Sequence, residues 1–137
     1  GNFTAGFCDW NLLLSEQGGP FHNRSSKSTA CAGIVFEDKS QGCHAPILFD
    51  TGKKELIFTP IYYYIGHFSK FLQRGALRVA TTRYCEDLHA IAFKNPDGSI
   101  VLVLMNVSDQ ALPAVIRRND ICTEISVEPH SIVTVLF

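Results

Sequence analysis

The chain has 137 residues, of which 46% are hydrophobic and only 18% charged, and its formal net charge is −1. That composition excludes a disordered chain and is large enough to bury a core of its own. It carries no sustained basic stripe, which argues against nucleic acid as a partner. No apolar run is long enough for a membrane-spanning helix, and the longest, Ile100 to Met105, suits a buried strand.

In chain order, residues 5–14 are mostly apolar and predict a strand, stopped by the Gly18-Gly19-Pro20 turn. Residues 21–45 are polar and irregular and predict a long loop, with a short strand within it from Ala32 to Phe36. Residues 46–58 predict a short buried strand, a turn at Thr51-Gly52-Lys53 and a second extended stretch. The period then changes. Pro60 opens a helix through about Leu72, with Thr59 as its N-cap and Gly75 closing it. Ile61, Tyr64, Ile65, Phe68, Phe71 and Leu72 fall on one face of that helix. Strands are then expected at 77–82, 88–94, 99–106, 111–117, 121–127 and 131–136, with Asn95-Pro96-Asp97-Gly98 as a hairpin turn. Short, evenly spaced strands of this kind predict an antiparallel β-sandwich. A strand, loop and helix ahead of it belong more naturally to a larger α/β layer than to a free unit.

The five cysteines, Cys8, Cys31, Cys43, Cys85 and Cys122, are odd in number and widely spaced, so reduced thiols are expected. Cys8, Cys85 and Cys122 lie in apolar segments, where a thiol acts as a small hydrophobe. Asn2, Asn23 and Asn106 each begin an Asn-x-Ser/Thr sequon, relevant only in a secretory compartment. The first residue is Gly1 and no secretory signal is present, which reads as a fragment or a processed product. Location stays open between cytoplasm and secretion.

Residues 6–20, with Asp9-Trp10-Asn11-Leu12 and Gly18-Gly19-Pro20, resemble the last barrel strand of glycoside hydrolase family 30, and most of all its glucosylceramidase-like members. Ala45-Pro46-Ile47 with Asp50 resembles that family's next segment, and Tyr63 to Phe71 its final barrel helix. Asn95 to Ser99, Leu104 to Ser108 and His130-Ser131-Ile132 are similar to its sandwich strands and turns. The resemblance covers nearly the whole chain, in order. It departs at residues 21–44: relatives cross this region in fewer residues, and Gln41-Gly42-Cys43-His44 stands where they carry a sugar-contacting Asn.

The resemblance implies a mainly β chain: an antiparallel sandwich over 76–137, preceded at 1–75 by the last strand-loop-helix of a TIM-type (β/α)8 barrel. It implies a parent enzyme that hydrolyses β-glucosides with retention, through two Glu residues that both precede Gly1. No catalytic residue, metal ligand or cofactor is therefore expected within this chain.

A retaining glycosidase needs two carboxylates about 5 Å apart. The acidic candidates are Asp9, Glu16, Glu37, Asp38, Asp50 and Glu55. Asp9 is read as a structural hydrogen-bonding residue rather than a catalytic one. Trp10, the sole Trp, is the leading substrate-binding candidate, placed by the resemblance near the C-terminal end of a barrel strand, where such enzymes build their sites. An indole face stacks on a pyranose ring; the alternative is a core Trp packed between strand and helix. Asp9, Asn11 and Gln41 stand behind Trp10 as substrate contacts. His22, Cys31, Cys43 and His44 share the long loop, but their spacing fits no compact zinc motif. His67 is expected to be a helix-packing residue, and Tyr62, Tyr63 and Tyr64 to be barrel packing and rim.

Two further readings compete with the hydrolase fragment. One is an autonomous carbohydrate-binding sandwich, weakened because residues 77–137 offer only Tyr84, Phe93 and Phe137 as aromatics. The other is an interaction piece that pairs with the missing N-terminal part or forms a homodimer, since an incomplete sandwich leaves an open sheet edge.

Overall fold

The computed structural model describes residues 6–16, 29–31, 34–36 and 45–137. Two compact units divide the chain, Gly1–Tyr63 and Tyr64–Phe137.

In the first unit, β1 (Leu13–Ser15) pairs in parallel with β4 (Ile47–Asp50), and β4 pairs antiparallel with β5 (Glu55–Phe58). Within the long loop, β2 (Thr29–Cys31) and β3 (Ile34–Phe36) form an antiparallel pair of their own. A parallel ladder needs a crossover connection rather than a tight turn. The β4–β5 hairpin turns through Thr51 to Lys54. Asp50 Oδ1 accepts from the amides of Gly52 (3.0 Å) and Lys53 (2.9 Å), and Lys54 takes a left-handed φ of 59°.

Helix α1 (Pro60–Ser69) begins where Pro60 was expected to start it. Its last turn loosens through Leu72, whose amide still donates to the Phe68 carbonyl at 3.0 Å. Thr59 is not a side-chain cap. Its hydroxyl donates back to the Pro46 carbonyl at 3.0 Å, so the residue ties the helix start to β4 instead.

The second unit is the sandwich. Its larger sheet runs β11 (Ile132–Leu136), β8 (Ile100–Asn106), β7 (Leu88–Lys94) and β6 (Leu77–Val79), all antiparallel. A second sheet holds β9 (Leu112–Arg118) and β10 (Ile121–Val127). The register divides the larger sheet into two faces. On one, Ala92, Leu102 and Leu104 pack in a core with Ala114 and Val127 of the second sheet, flanked by Leu88, Ala90, Val133 and Val135. On the other lie Phe93, Val101, Val103 and Thr134. Helix α1 meets this second face: Phe68 sets its ring edge-on to Phe93 at 6.3 Å, and His67 Nδ1 lies 2.8 Å from Thr134 Oγ1. Strand β8 is therefore buried on both sides, which matches its unbroken apolar run. Burying a valine fully, as Val101 and Val127 are, contributes about 1.5–3 kcal/mol each.

Two buried asparagines close the unit. Asn95, in the β7–β8 turn, accepts from the Gln73 amide and donates to the Phe71 carbonyl, so the turn satisfies peptide groups left open where the helix ends. Gly98 sits in that turn at φ 88°, a conformation that suits a residue without Cβ. Asn106, at the end of β8, is 1% exposed. Its amide donates toward the carbonyls of Gln110 (2.7 Å), Val127 (2.9 Å) and Glu128 (3.1 Å), and its Oδ1 accepts from the Ser108 amide and hydroxyl. The sequon at Asn106 is thus internal to the folded domain, and its nitrogen is committed to the strand ends around it. Asn2 and Asn23 lie outside the described residues.

Three expectations are corrected. The strand expected at 5–14 is confined to Leu13–Ser15, because Asn11 adopts a left-handed φ of 63° that interrupts an extended run. The strand expected at 77–82 stops at Val79. Cys8, Cys85 and Cys122 are free thiols as expected, but they are exposed rather than core residues, and Cys85 lies in the loop after β6.

Replacing Asn106 by Ala is expected to cost about 2–3 kcal/mol, because buried carbonyls lose their donor, and the urea midpoint measures it. Burial also holds the His67 imidazole below its ordinary value of 6.5. The unfolded chain takes up the proton first, so this stabilisation is complete above pH 6.5 and is lost as pH falls through the depressed folded value. The unfolding midpoint of the His67→Gln variant should therefore fall less than that of the wild type as pH is lowered through this range.

Candidate functional site

The Asp9-Trp10-Asn11 segment leads directly into β1. Its backbone is shaped by side chains rather than by a ladder. Asp9 Oδ1 accepts from the Trp10 amide at 2.9 Å, and Asn11 then turns the chain through its left-handed conformation. Among non-glycine residues, Asn is one of the few that tolerates this region. Trp10 consequently stands before β1, not near the C-terminal end of a strand, and its side chain is 74% exposed. Asn11 differs from both neighbours: its Nδ2 is buried and finds no acceptor among the described residues. A buried amide without a partner is uncommon and calls for a cause.

Glu16 follows β1 and is fully engaged locally. Its carboxylate accepts from the Thr51 hydroxyl at 2.7 Å and the Thr51 amide at 3.0 Å, while its own amide donates to the Phe49 carbonyl. These bonds favour the charged form and hold its pKa below the ordinary carboxylate value. A depressed pKa suits an anchor and does not suit a general acid. Asp50 is committed to its turn amides, and the β4–β5 ladder sets it opposite Glu55 at an exposed hairpin end. Asp97 is held low by Ser99 and Gln73 at the β7–β8 turn. His130 Nε2 pairs with Asp109 Oδ1 at 2.7 Å on the surface.

Gln41, Glu37, Asp38, His22, Cys43 and His44 lie outside the described residues, and Cys31 is described only by its strand backbone. Among the described residues, no three His, Cys, Asp or Glu side chains gather as a metal site, and no helix is long and apolar enough to cross a membrane. The structure brings together Asp9, Trp10 and Asn11 as neighbours; it leaves Glu16 apart, bonded to Thr51.

The first unit exposes much apolar surface. Phe7, Leu12, Leu56, Ile57 and Phe58 are all at least two-fifths exposed, and Tyr62 and Tyr63 join Phe58 in a run of ring contacts at 4.7 and 5.4 Å. Neither the strain at Asn11 nor the Glu16–Thr51 pairing was read from the sequence. An Asx residue on each side of the Trp was the signal for the first; the second, across 35 residues, left none.

Residues 75–135 match the family model described as the Glycosyl hydrolase family 30 beta sandwich domain. The chain is 36% identical over 136 residues to the lysosomal acid glucosylceramidase of Mus musculus, covering 98% of this chain and 23% of that protein. It is 28% identical over 149 residues to putative glucosylceramidase 4 of Caenorhabditis elegans, covering 100% of this chain and 24% of that one. Among solved structures, SrfJ from Salmonella typhimurium superposes with a TM-score of 0.78 at 30% identity, over 94% of this chain and 25% of that one. The endo-beta1,6-glucanase BT3312 gives 0.70 at 26% identity, over 93% and 25%. The chain thus spans about a quarter of the length of the proteins it matches.

If the Glu16 carboxylate anchors Thr51, the Glu16→Ala variant should show faster amide hydrogen exchange at Thr51, with exchange in β8 unchanged. Lowering the pH below the depressed Glu16 value should reproduce that loss in the wild type, because protonation removes an acceptor.

Proposed function

Since the chain belongs to glycosyl hydrolase family 30 and carries that family's β-sandwich domain at residues 75–135, we propose that it is the C-terminal part of a retaining, glucosylceramidase-like β-glucosidase whose catalytic carboxylates lie outside it. The observation that carries this reading is the contrast between the two units. The sandwich unit closes a core of its own, whereas the first unit leaves apolar strand and helix residues uncovered. Exposed apolar residues of that kind fit a face made to be covered by more polypeptide. The parallel β1–β4 ladder fits a segment of a barrel, and residues 1–75 are proposed as its last strand-loop-helix. Asp9, Glu16 and Asp50 are each engaged by local donors, which supports placing the acid and the nucleophile elsewhere.

Trp10 is the proposed sugar contact of this chain. Its exposed indole offers a flat apolar face that a pyranose ring can stack upon. The β9–β10 pair has no further strand beside it among the described residues, and it fits pairing with the remainder of the parent or with a second copy.

The test is turnover of an aryl β-glucoside by this chain and by the full-length parent at equal concentration. Activity in the parent with none in the chain is the expected result. Turnover by the chain, abolished by Asp9→Asn or Glu16→Gln, would place the active site within these residues and end the reading.

A further inference from the structure

Two observations converge on Asn11 and on no other described residue. Its backbone occupies the left-handed region at φ 63°, and its side-chain nitrogen is buried without an acceptor among the described residues. The left-handed backbone alone is common in an asparagine at a turn; the buried amide without a partner is not. Together they occur one residue from the exposed ring of Trp10, and where the extended chain of β1 would otherwise begin.

We infer that Asn11 is a positioning residue for Trp10, setting the direction of the indole through its left-handed backbone and holding that setting through its buried amide. This rests on the reading of Trp10 as a sugar contact. In a regular strand, the residue before β1 would follow the pleat, and its side chain would alternate with Leu12 and Leu13. The turn at Asn11 breaks that alternation and frees the Trp10 ring from the strand's two faces. Asp9 works from the other side, since its carboxylate fixes the Trp10 amide at 2.9 Å. The amide of Asn11 is the remaining donor, and its direction inward makes it an anchor rather than a second ligand to the sugar.

This assignment separates the backbone role from the side-chain role. Glycine adopts the left-handed region freely and lacks the amide; alanine lacks the amide and resists the conformation. In the full-length enzyme acting on an aryl β-glucoside, Asn11→Ala should raise KM and lower kcat/KM by roughly tenfold, the worth of the left-handed conformation to a residue with a Cβ. Asn11→Gly should recover part of that loss, and the thermal midpoint of either variant need not follow the change in KM. Trp10→Ala serves as the reference. If Trp10→Ala raises KM while both Asn11 variants keep the wild-type KM, the positioning role is wrong and the sugar contact stands. If Trp10→Ala leaves KM unchanged, the sugar contact itself fails and the role of Asn11 fails with it. If Asn11→Ala lowers only kcat, in proportion to a loss of folded protein, Asn11 is a structural residue and the inference is overturned. Should Asn11→Ala not fold, Asn11→Gly against wild type decides, because it keeps the turn and removes the anchor.

Discussion

Burial of strand β8 on both faces is the constraint on which the sandwich unit depends. A strand with one wet face needs a single covering layer; a strand apolar at every position needs two. Here the layers come from opposite directions in sequence. The helix that precedes the sheet supplies one, through Phe68 and His67, and the β9–β10 hairpin that follows supplies the other, through Ala114 and Val127. The buried asparagines sit where these layers meet the central strand's ends. Asn95 joins the β7–β8 turn to the helix exit, and Asn106 joins the end of β8 to the end of β10. Each replaces water at peptide groups that the layers have covered, so the hydrophobic and polar parts of the core require one another.

The sandwich strands were legible in the sequence, and the reason is local. Alternating or continuous apolar runs were separated by residues with a turn chemistry of their own: Asn95-Pro96-Asp97-Gly98, Asn119 at φ 52° and His130 at φ 48°. The helix start was legible from Pro60 for the same reason. What the sequence could not convey was pairing. Residues 5–14 read as one apolar strand, yet strand structure is conferred by a partner ladder, and only Leu13–Ser15 has one in β4. Thr59 had the chemistry of a cap, an acceptor for helix amides, but its hydroxyl donates to the Pro46 carbonyl just before β4, 13 residues away. The three thiols were read as small hydrophobes from their apolar neighbours, but Cys8 and Cys85 lie outside strands, and composition does not say which face of β10 Cys122 takes.

The candidate site was legible as a motif and not as a shape. Trp10 was singled out by residue type, but its setting depends on the backbone of Asn11, which hydropathy does not encode. Glu16 stood among the acidic candidates on equal terms with Asp9 until its two bonds to Thr51 identified it as a clamp between β1 and the following hairpin. The sandwich unit and the strand unit also differ in kind. One satisfies its own core, and the other leaves apolar strand and helix residues exposed.

The interior position of Asn106 sets order in time as well as in space. Its acceptors at Val127 and Glu128 lie 21 and 22 residues further along the chain, so during synthesis the sequon emerges before the strand that will enclose it. A chain made in a compartment with oligosaccharide transfer would pass through an interval in which this nitrogen is accessible. An Asn bearing a glycan could not then enter the core, and the modified chain would be excluded from the native state. Closure of β10 over the end of β8 is thus a race against modification, and an occupied Asn106 would mark a molecule that lost it.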